Sequence, residues 1–375
     1  MMRKMTATLL SISALLFFAT CGAGQSTAYD DAPFTLAPRD WENFDWEWEQ
    51  FANTRDPLYL LNCTPHGYLA VQYIRFMNDH LYSRKPFSYR EKETAAWLID
   101  ELLAMGHRWE NIQVQEFPIG TQDRWWRLTN LAIWRSDFPL RRTTQLSQNV
   151  ILTVGGQSER MIIVGAHYDS YPTPGASDNA SGVSLLLESA QRVLSMDNYY
   201  TIVYVFFGGE EIGLNGSSYF AGNLTNEQAN NIVLMINADN LFDGHDIFYG
   251  AAIQTNGLPD TNDLTHRIDA LAYELNLGLI GNPDVAFLYS DQLPFLMRGH
   301  TVIAFAGLFR TEHLAVPGFF QMDDYMFMRT VSHTSVDCFH HLEEVWPGLI
   351  ERNMRAFSIF LHEILLIRTS AEGHG

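Results

Sequence analysis

Short apolar runs alternate with amphipathic stretches along most of this chain. The runs have the length of buried strands and are rich in β-branched and aromatic residues, whereas the stretches repeat apolar residues at helical spacing. The runs predict strands over residues 112–117, 130–135, 149–154, 161–166, 201–207, 232–238 and 301–306. The stretches predict helices over residues 88–105, 182–194, 215–223, 263–275 and 346–367. This alternation predicts an α/β fold, with a mostly parallel mixed central sheet and helices on both faces. The early, closely spaced strands predict an antiparallel part at one edge.

The best-marked helix begins with a capping box at Ser88-Tyr89-Arg90-Glu91 and ends at Gly106. Before it, Trp41, Phe44, Trp48 and Phe51 recur at helical spacing. Such a stripe can bind a membrane or a partner, but a helix packed on the body of the domain is the commoner reason for it. We interpret residues 24–60 as a linker with this aromatic helix, and residues 61–370 as one domain, because no Pro/Gly/Ser-rich break divides them.

The first 23 residues are typical of an export signal. A basic start precedes a short apolar core, Leu9 to Phe18, and a small-residue exit near Ala23. This predicts an exported protein, periplasmic or secreted. Acylation at Cys21 is an alternative that would anchor the chain to a membrane, although Phe18 and Thr20 depart from the usual lipoprotein pattern. After cleavage Cys63 and Cys338 would remain, and the sequence leaves open whether they pair.

Composition limits the class of protein. Apolar residues make up 47% of the 375 and charged residues 18%, which fits a globular chain with a large core. Acidic residues outnumber basic ones 43 to 24, for a net charge of −19. This balance argues against a nucleic-acid partner, which requires clustered Lys and Arg.

An acidic pair, Glu210-Glu211, follows the predicted strand 201–207 and precedes a Gly-punctuated loop. Ligand crevices of open α/β sheets lie beyond the carboxyl ends of strands. Neighbouring side chains of an extended segment point to opposite sides, so one Glu can bind a metal while the other faces a reacting water. Taken alone, a Glu-Glu pair is a common solvated dipeptide.

Four further segments support the metal interpretation. His167 and Asp169 follow another buried strand, and Asp178 lies in a Gly-rich loop that opens a helix. Asp239 ends the strand 232–238, and His333 lies in a late polar loop. Each pattern is weak alone, since Asp178 could simply cap its helix. Together they bring imidazole and carboxylate ligands to one sheet edge, in a number that suits two zinc ions sharing a carboxylate.

With these segments in this order, the chain resembles the di-zinc aminopeptidases of the secreted bacterial leucyl type. Their relatives include glutamate carboxypeptidases, glutaminyl cyclases and the catalytically inactive transferrin receptor. The resemblance runs from about Ser88 to the last helix. It is carried by four motifs: Gly165-Ala166-His167-Tyr168-Asp169-Ser170, Pro174 to Gly182, Gly209 to Gly216, and His333-Thr334. It implies the zinc-exopeptidase (phosphorylase/hydrolase-like) architecture.

The resemblance also implies a role for each site residue. One zinc would be bound by His167 and Asp239, and the other by Glu211 and His333, with Asp178 bridging the two. Glu210 would be the general base, Asp169 would orient His167, and the peptide between Asp178 and Asn179 would be cis. The implied activity is a zinc-dependent aminopeptidase, a hydrolase acting on peptides with a free N-terminus.

Three alternatives stay open on the same fold: a glutaminyl cyclase, a glutamate-releasing carboxypeptidase and, least favoured, a non-enzymatic binding protein. The carboxypeptidase needs a basic pocket, for which the candidates are Arg298, Arg310 and Arg329. Two segments depart from the family pattern: Asn240-Leu241-Phe242 follows Asp239, and Gln292 stands where the family often has His. We expect both near the substrate side. A further hypothesis places Met322, Tyr325 and Phe327 in the side-chain pocket.

Overall fold

The computed structural model describes residues 64–118, 146–255, 258–309, 321–322, 325–326 and 331–368. The predicted leader, the linker with its aromatic helix and the predicted strand 130–135 lie outside these residues. So do Cys21, Cys63, Phe327, Arg310 and Arg329. Cys338 is disulfide-bonded, and its partner also lies outside the described residues.

Nine of the strands form one sheet, in the order β1-β2-β4-β3-β5-β9-β6-β7, with β8 paired to β6. The described strands are β1 (Ile112–Pro118), β2 (Leu146–Val154), β3 (Ser158–His167), β4 (Tyr200–Phe207), β5 (Ile232–Ala238), β6 (Asp246–Thr255), β7 (Leu258–Asp260), β8 (Leu279–Gly281), β9 (Val302–Leu308), β10 (Gln321–Met322) and β11 (Tyr325–Met326). Strands β4, β3, β5 and β9 are mutually parallel. Strands β1 and β2 extend the sheet antiparallel at one edge, and β6 pairs antiparallel with β9 towards the other. The mixed, mostly parallel core and its antiparallel edge are therefore confirmed.

Helices cover both faces of the sheet. They are α1 (Tyr68–His80), α2 (Tyr89–Ala104), α3 (Ser181–Arg192), α4 (Asn215–Gly222), α5 (Asn226–Asn231), α6 (Asp263–Leu275), α7 (Leu293–Leu296), α8 (Phe339–Val345) and α9 (Leu349–Leu365). No described helix has both the length and the apolar character needed to cross a membrane.

The two faces of the sheet carry separate cores because side chains alternate along each strand. On β4, Ile202, Tyr204 and Phe206 pack into the larger core, which also holds α1, α2, α3 and α9. Val203 and Phe207 point the other way, into a smaller core with α4 and α7. A sheet filled on both faces leaves its carboxyl edge as the place where polar side chains gather.

The predicted capping box at Ser88 is only half formed. Ser88 Oγ accepts from the Glu91 N–H at 3.3 Å, as expected. The Glu91 carboxylate does not return to Ser88, because Oε2 accepts from Phe87 N–H at 2.6 Å. Its other oxygen accepts from Ser147 Oγ at 2.7 Å and from Gly209 N–H at 3.1 Å. Glu91 therefore ties α2 to the turn that precedes Glu210.

A second buried carboxylate, Glu188 of α3, fixes the start of α1. It accepts from the N–H groups of Gly67 at 2.8 Å and Ala70 at 2.9 Å. Arg192 Nε donates to it at 2.8 Å, and Ser358 Oγ of α9 donates at 2.7 Å. Three helices thus meet at one fully satisfied buried anion, as buried charges require.

This junction predicts a stability change in mild acid. His66 Nδ1 lies 2.9 Å from Ser358 Oγ, and burial together with the nearby Arg192 lowers the pKa of His66 to about 4. A histidine with a depressed pKa stabilises the fold when neutral, so its contribution is lost as pH falls from about 6.5 to about 4. We expect the free energy of unfolding to fall more steeply over this window for the wild type than for His66→Asn. If denaturant unfolding gives the same pH dependence of the free energy of unfolding for the two proteins, this assignment is contradicted.

Candidate metal centre

The five predicted metal ligands converge at the carboxyl edge of the parallel strands. His167 is the last residue of β3, Asp239 directly follows β5, and Glu211 lies in the turn after β4. Asp178 belongs to the segment Ala176–Ala180 that leads into α3. His333 lies in the loop Val331–Cys338 before α8, with a left-handed φ of 62°. The sequence prediction that these residues meet is confirmed by their positions.

Asp178 occupies the centre of the cluster, with one carboxylate oxygen towards each histidine. Its Oδ1 lies 3.2 Å from His167 Nε2, and its Oδ2 lies 3.0 Å from His333 Nε2. His167 Nε2 is also 3.2 Å from Asp239 Oδ1, and His333 Nε2 is 2.9 Å from Glu211 Oε2. Ligands held about 2.0–2.1 Å from one tetrahedral zinc lie about 3.3 Å apart, so both halves have the spacing of a metal site.

Two groups of three metal-type side chains, each with ligand atoms within 4.8 Å of one another, emerge from the described residues. One contains Asp178, Glu211 and His333. The other contains His167, Asp239 and Glu210. Glu210 is therefore close enough to this second group to act on a water there or to be a ligand itself. With Asp178 Oδ1 already facing His167, the second group has three ligands without Glu210.

The electrostatics of the cluster favour cation binding. Burial alone would lower the pKa of His333, but the carboxylates of Asp178 and Glu211 raise it to about 9. Burial, opposed by His167 and reinforced by Glu211, raises the pKa of Glu210 well above its usual range. The surrounding carboxylates thus favour a positive charge at both histidines. A divalent ion in place of a proton satisfies the same negative field.

Asp169 acts on both sides of the site. His167 Nδ1 lies 3.1 Å from the Asp169 carbonyl oxygen and 3.7 Å from its Oδ1, so the main contact to the imidazole is through the backbone. The Asp169 carboxylate instead accepts from the N–H groups of Glu210 and Glu211, each at 3.1 Å. One residue therefore orients a histidine on β3 and both glutamates after β4.

The loop around Asp178 is held against the end of β5. The Asp178–Asn179 peptide is cis, which confirms the expectation from the family resemblance. Asn179 Nδ2 donates to the Ala238 carbonyl at 2.9 Å, and its Oδ1 accepts from Gly182 N–H at 2.9 Å. A Cβ at position 182 would collide with the same Ala238 carbonyl oxygen. This close approach explains the glycine in the predicted Gly-rich loop.

Tyr171 supports the His333 half of the site. Its ring stacks on the His333 imidazole, with centroids 3.8 Å apart and planes at 17°. Its backbone N–H donates to Glu211 Oε1 at 3.1 Å, which leaves Oε2 to face His333. Asp239 and His333 are the most exposed of the five candidate ligands, with 15% and 19% of their side-chain surface accessible. The centre therefore opens on the side of these two residues.

The two segments that depart from the family pattern are largely buried. Gln292 is fully buried, accepts from Asn237 Nδ2 at 2.8 Å, and donates to the carbonyls of Ala286 and Leu288. It holds its loop to β5 because both ends of its amide are used within the protein. Leu241 and Phe242 are likewise fully buried in the larger core. Gln292, Leu241 and Phe242 therefore have structural contacts, whereas Asn240 is half-buried and its Nδ2 donates to Asp239 Oδ1 at 3.1 Å.

The side-chain pocket expected around Met322, Tyr325 and Phe327 stays a prediction. The backbone of Met322 in β10 pairs antiparallel with that of Tyr325 in β11. Arg298 is exposed and donates to the Pro294 carbonyl at 2.7 Å, one turn earlier. No cluster of arginines forms among the described residues at the metal centre.

A buried cation under the centre has no motif in the sequence. Arg84 is fully buried, and its guanidinium donates to the carbonyls of Tyr168 at 2.8 Å, Pro174 at 2.9 Å and Gly175 at 2.9 Å. Burial lowers its pKa to about 10, while the aspartates of the site oppose that shift, so it stays charged. Arg84 thereby fixes the loop before Asp178 and partly offsets the charge of the carboxylates.

The architecture is that of the zinc exopeptidases: a mixed α/β sheet with imidazole and carboxylate ligands at its carboxyl edge. Within this class the chain belongs to peptidase family M28, whose model matches residues 149–358. The chain is 38% identical over 101 residues to aminopeptidase YwaD of Bacillus subtilis (strain 168), a match that covers 26% of this chain and 22% of that protein. The chain thus spans under a quarter of the length of this curated relative.

Solved structures show the same fold at low identity. BSAP, a zinc aminopeptidase from Bacillus subtilis, superposes with a TM-score of 0.60 at 17% identity, over 80% of this chain and 95% of that one. The glutaminyl cyclase of Porphyromonas gingivalis superposes with a TM-score of 0.56 at 17% identity, over 80% and 98%. The fold alone therefore does not separate peptide hydrolysis from cyclisation.

Proposed function

We propose that this protein is a zinc aminopeptidase that removes the N-terminal residue of peptides at a centre holding two zinc ions. The observation that carries the proposal is the Asp178 carboxylate, whose two oxygens each face a different histidine–carboxylate group. Five ligands exceed the need of a single catalytic zinc, and a shared carboxylate uses all five.

The residues divide into ligands and a base. His167 and Asp239 would hold one zinc, Glu211 and His333 the other, and Asp178 both. Zinc bound here would lower the pKa of a bound water and stabilise the oxyanion that develops on the scissile carbonyl. Glu210 remains for proton transfer, because its group already has three ligands without it.

Hydrolysis then requires two proton transfers by Glu210. Its carboxylate takes a proton from water as the oxygen attacks the carbonyl carbon of the first peptide bond. It returns that proton to the leaving nitrogen when the carbon–nitrogen bond breaks. The Asp239 carboxylate at the opening favours a substrate whose free N-terminus is a cation. The products are a free amino acid and a peptide shortened by one residue.

The proposed site of action is outside the cytoplasm, and it rests on the export signal predicted over residues 1–23. The anchored alternative rests on Cys21. Treatment of cells with a lipoprotein signal-peptidase inhibitor separates the two, since only an acylated precursor would accumulate.

A screen of aminoacyl chromogenic amides tests the proposed activity. We expect the purified, zinc-loaded protein to release the chromophore from at least one free aminoacyl amide, and a chelator to abolish that release. The N-acetylated form of the best substrate is the matched control and should not react. Absence of release from every free aminoacyl amide would contradict the proposal.

Glutaminyl cyclase is the second candidate, because a solved cyclase shares the fold. A cyclase would release ammonia from a peptide that begins with glutamine, without releasing an amino acid. In this chain Glu211 passes directly into Ile212-Gly213-Leu214-Asn215, without the insertion that the family resemblance associates with cyclases. This sequence feature favours the peptidase. An ammonia assay on a glutaminyl peptide, run beside the chromogenic screen, distinguishes the two reactions.

A further inference from the structure

Three buried aspartates in the described part of the chain share one contact pattern around the metal centre. Each accepts hydrogen bonds from two successive backbone N–H groups of a different ligand-bearing segment. Asp169 holds residues 210 and 211, as described above. Asp337 holds the segment of Asp178, and Asp243 holds the segment of His333. Each of the three carboxylates comes from a segment that itself carries a ligand or directly follows one.

The Asp337 contact fixes the bridging ligand. Its Oδ1 accepts from Ser177 N–H at 2.6 Å and its Oδ2 from Asp178 N–H at 3.1 Å, across 160 positions of sequence. Asp337 is fully buried. Because each oxygen takes one amide, the carboxylate sets both the position and the direction of the backbone that carries Asp178.

The Asp243 contact fixes the late histidine. Its Oδ1 accepts from Val331 N–H at 2.9 Å and Ser332 N–H at 3.2 Å, and its Oδ2 accepts from Ser332 Oγ at 2.8 Å. These are the two residues before His333, whose left-handed backbone is costly for a residue with a Cβ. A hold on the preceding amides keeps the histidine in that conformation.

We propose that Asp337 and Asp243 are positioning residues that hold Asp178 and His333 in metal-binding geometry. This inference rests on the proposed ligands, because Asp337 and Asp243 would act on the metals only through Asp178 and His333. Groups that orient metal ligands typically contribute about 10–100-fold to metal affinity. Loss of Asp337 affects the bridging carboxylate and therefore both zinc ions, whereas loss of Asp243 affects only the ion held by His333.

The two carboxylates respond differently to asparagine. In Asp337→Asn, the amide NH₂ necessarily faces one of the two backbone N–H donors, so one hydrogen bond is lost and two donors oppose each other. In Asp243→Asn, the remaining oxygen can still accept both N–H groups, and the Ser332 hydroxyl can turn to accept from the NH₂. Asp243→Ala removes all three contacts.

Zinc titration of the apoproteins by chelator competition tests this inference. We expect Asp337→Asn to weaken both zinc ions by about 10–100-fold, Asp243→Ala to weaken one ion by a similar factor, and Asp243→Asn to stay close to wild type. Glu188→Gln is the matched control. Glu188 is also a buried carboxylate that accepts from two backbone N–H groups, but those groups belong to Gly67 and Ala70, away from the centre.

The outcomes separate this inference from the proposed function. Wild-type protein that binds fewer than two zinc ions contradicts the proposed centre, whatever the variants do. Wild-type affinity in folded Asp337→Asn, equal losses in both Asp243 variants, or an equal loss in Glu188→Gln overturns the positioning roles. Thermal unfolding of each apoprotein checks that it is folded. If Asp337→Asn does not fold, the contrast between the two Asp243 variants decides the question.

Discussion

The variant Glu210→Gln is expected to keep both metals and to lose kcat by about 10²–10⁴-fold or more, the usual contribution of a general base. Glutamine preserves the shape of the side chain and its backbone N–H contact to Asp169, but it cannot accept a proton from water. Steady-state kinetics with the best aminoacyl amide, together with elemental analysis of the same samples, measures both quantities.

Glu211→Gln is the matched control, because it alters the adjacent carboxylate. It should bind the zinc proposed for Glu211 and His333 less tightly, since Glu211 Oε2 lies 2.9 Å from His333 Nε2. Part of its activity should return with excess zinc. The opposite pattern, with metal lost in Glu210→Gln and kept in Glu211→Gln, would mean that the two roles are exchanged. Full activity in both variants would remove the proposed catalytic assignment.

The second large effect concerns metal content. Zinc-reconstituted wild type should hold about two equivalents, and His333→Ala should hold about one, because only one of the two groups loses its imidazole. Asp178→Ala should weaken both ions, since its oxygens lie 3.2 Å and 3.0 Å from the two histidine Nε2 atoms. Elemental analysis after dialysis against zinc at graded concentrations measures these changes.

Asp239→Ala provides the complementary control, because it should lose the ion that His333→Ala keeps. The double variant should then hold neither. Saturation of the wild type at one equivalent would contradict the two-zinc centre and favour the glutaminyl cyclase, which the family resemblance implies uses one zinc. Identical metal content in Asp178→Ala and wild type would contradict the bridging role.

The sequence predicted the elements with strong, uninterrupted patterns. The strand Ile232–Ala238 and the helix Asp263–Leu275 have the bounds that periodicity indicated. Strand β6 was missed because Gly250, Ala251 and Ala252 weaken its apolar pattern. Its main partner, β9, lies some fifty residues later in the chain, but β7 also pairs with it, and the Asn256-Gly257 dipeptide between β6 and β7 is a hairpin signal that could have marked it. The helix Tyr68–His80 was likewise not assigned, although its apolar spacing is regular.

The residues of the candidate centre were predictable because each ends a strand or lies in a family motif. Most of the groups that hold them in place were not, although the resemblance implied that Asp169 orients His167. Arg84 and Asp243 stand in polar loops without a pattern, and their partners lie 84 to 91 positions away in sequence. The capping box predicted a local role for Glu91. Its contact with Gly209, which lies 118 positions away in sequence, has no sequence signal. Asp243 lies four positions after Asp239 and follows the same strand end. This is the local feature that places it near the centre.

The order in which the site residues occur along the chain bears on when activity can arise during synthesis. The proposed ligands run from His167 to His333, and β9 must insert between β5 and β6 to complete the sheet. Contacts of such long sequence separation form slowly and late. A ribosome-bound chain that stops before residue 326 has no His333 and no Asp337, so we expect it to be inert. The topology would thereby delay the proposed hydrolysis until the segment that carries His333 has been made.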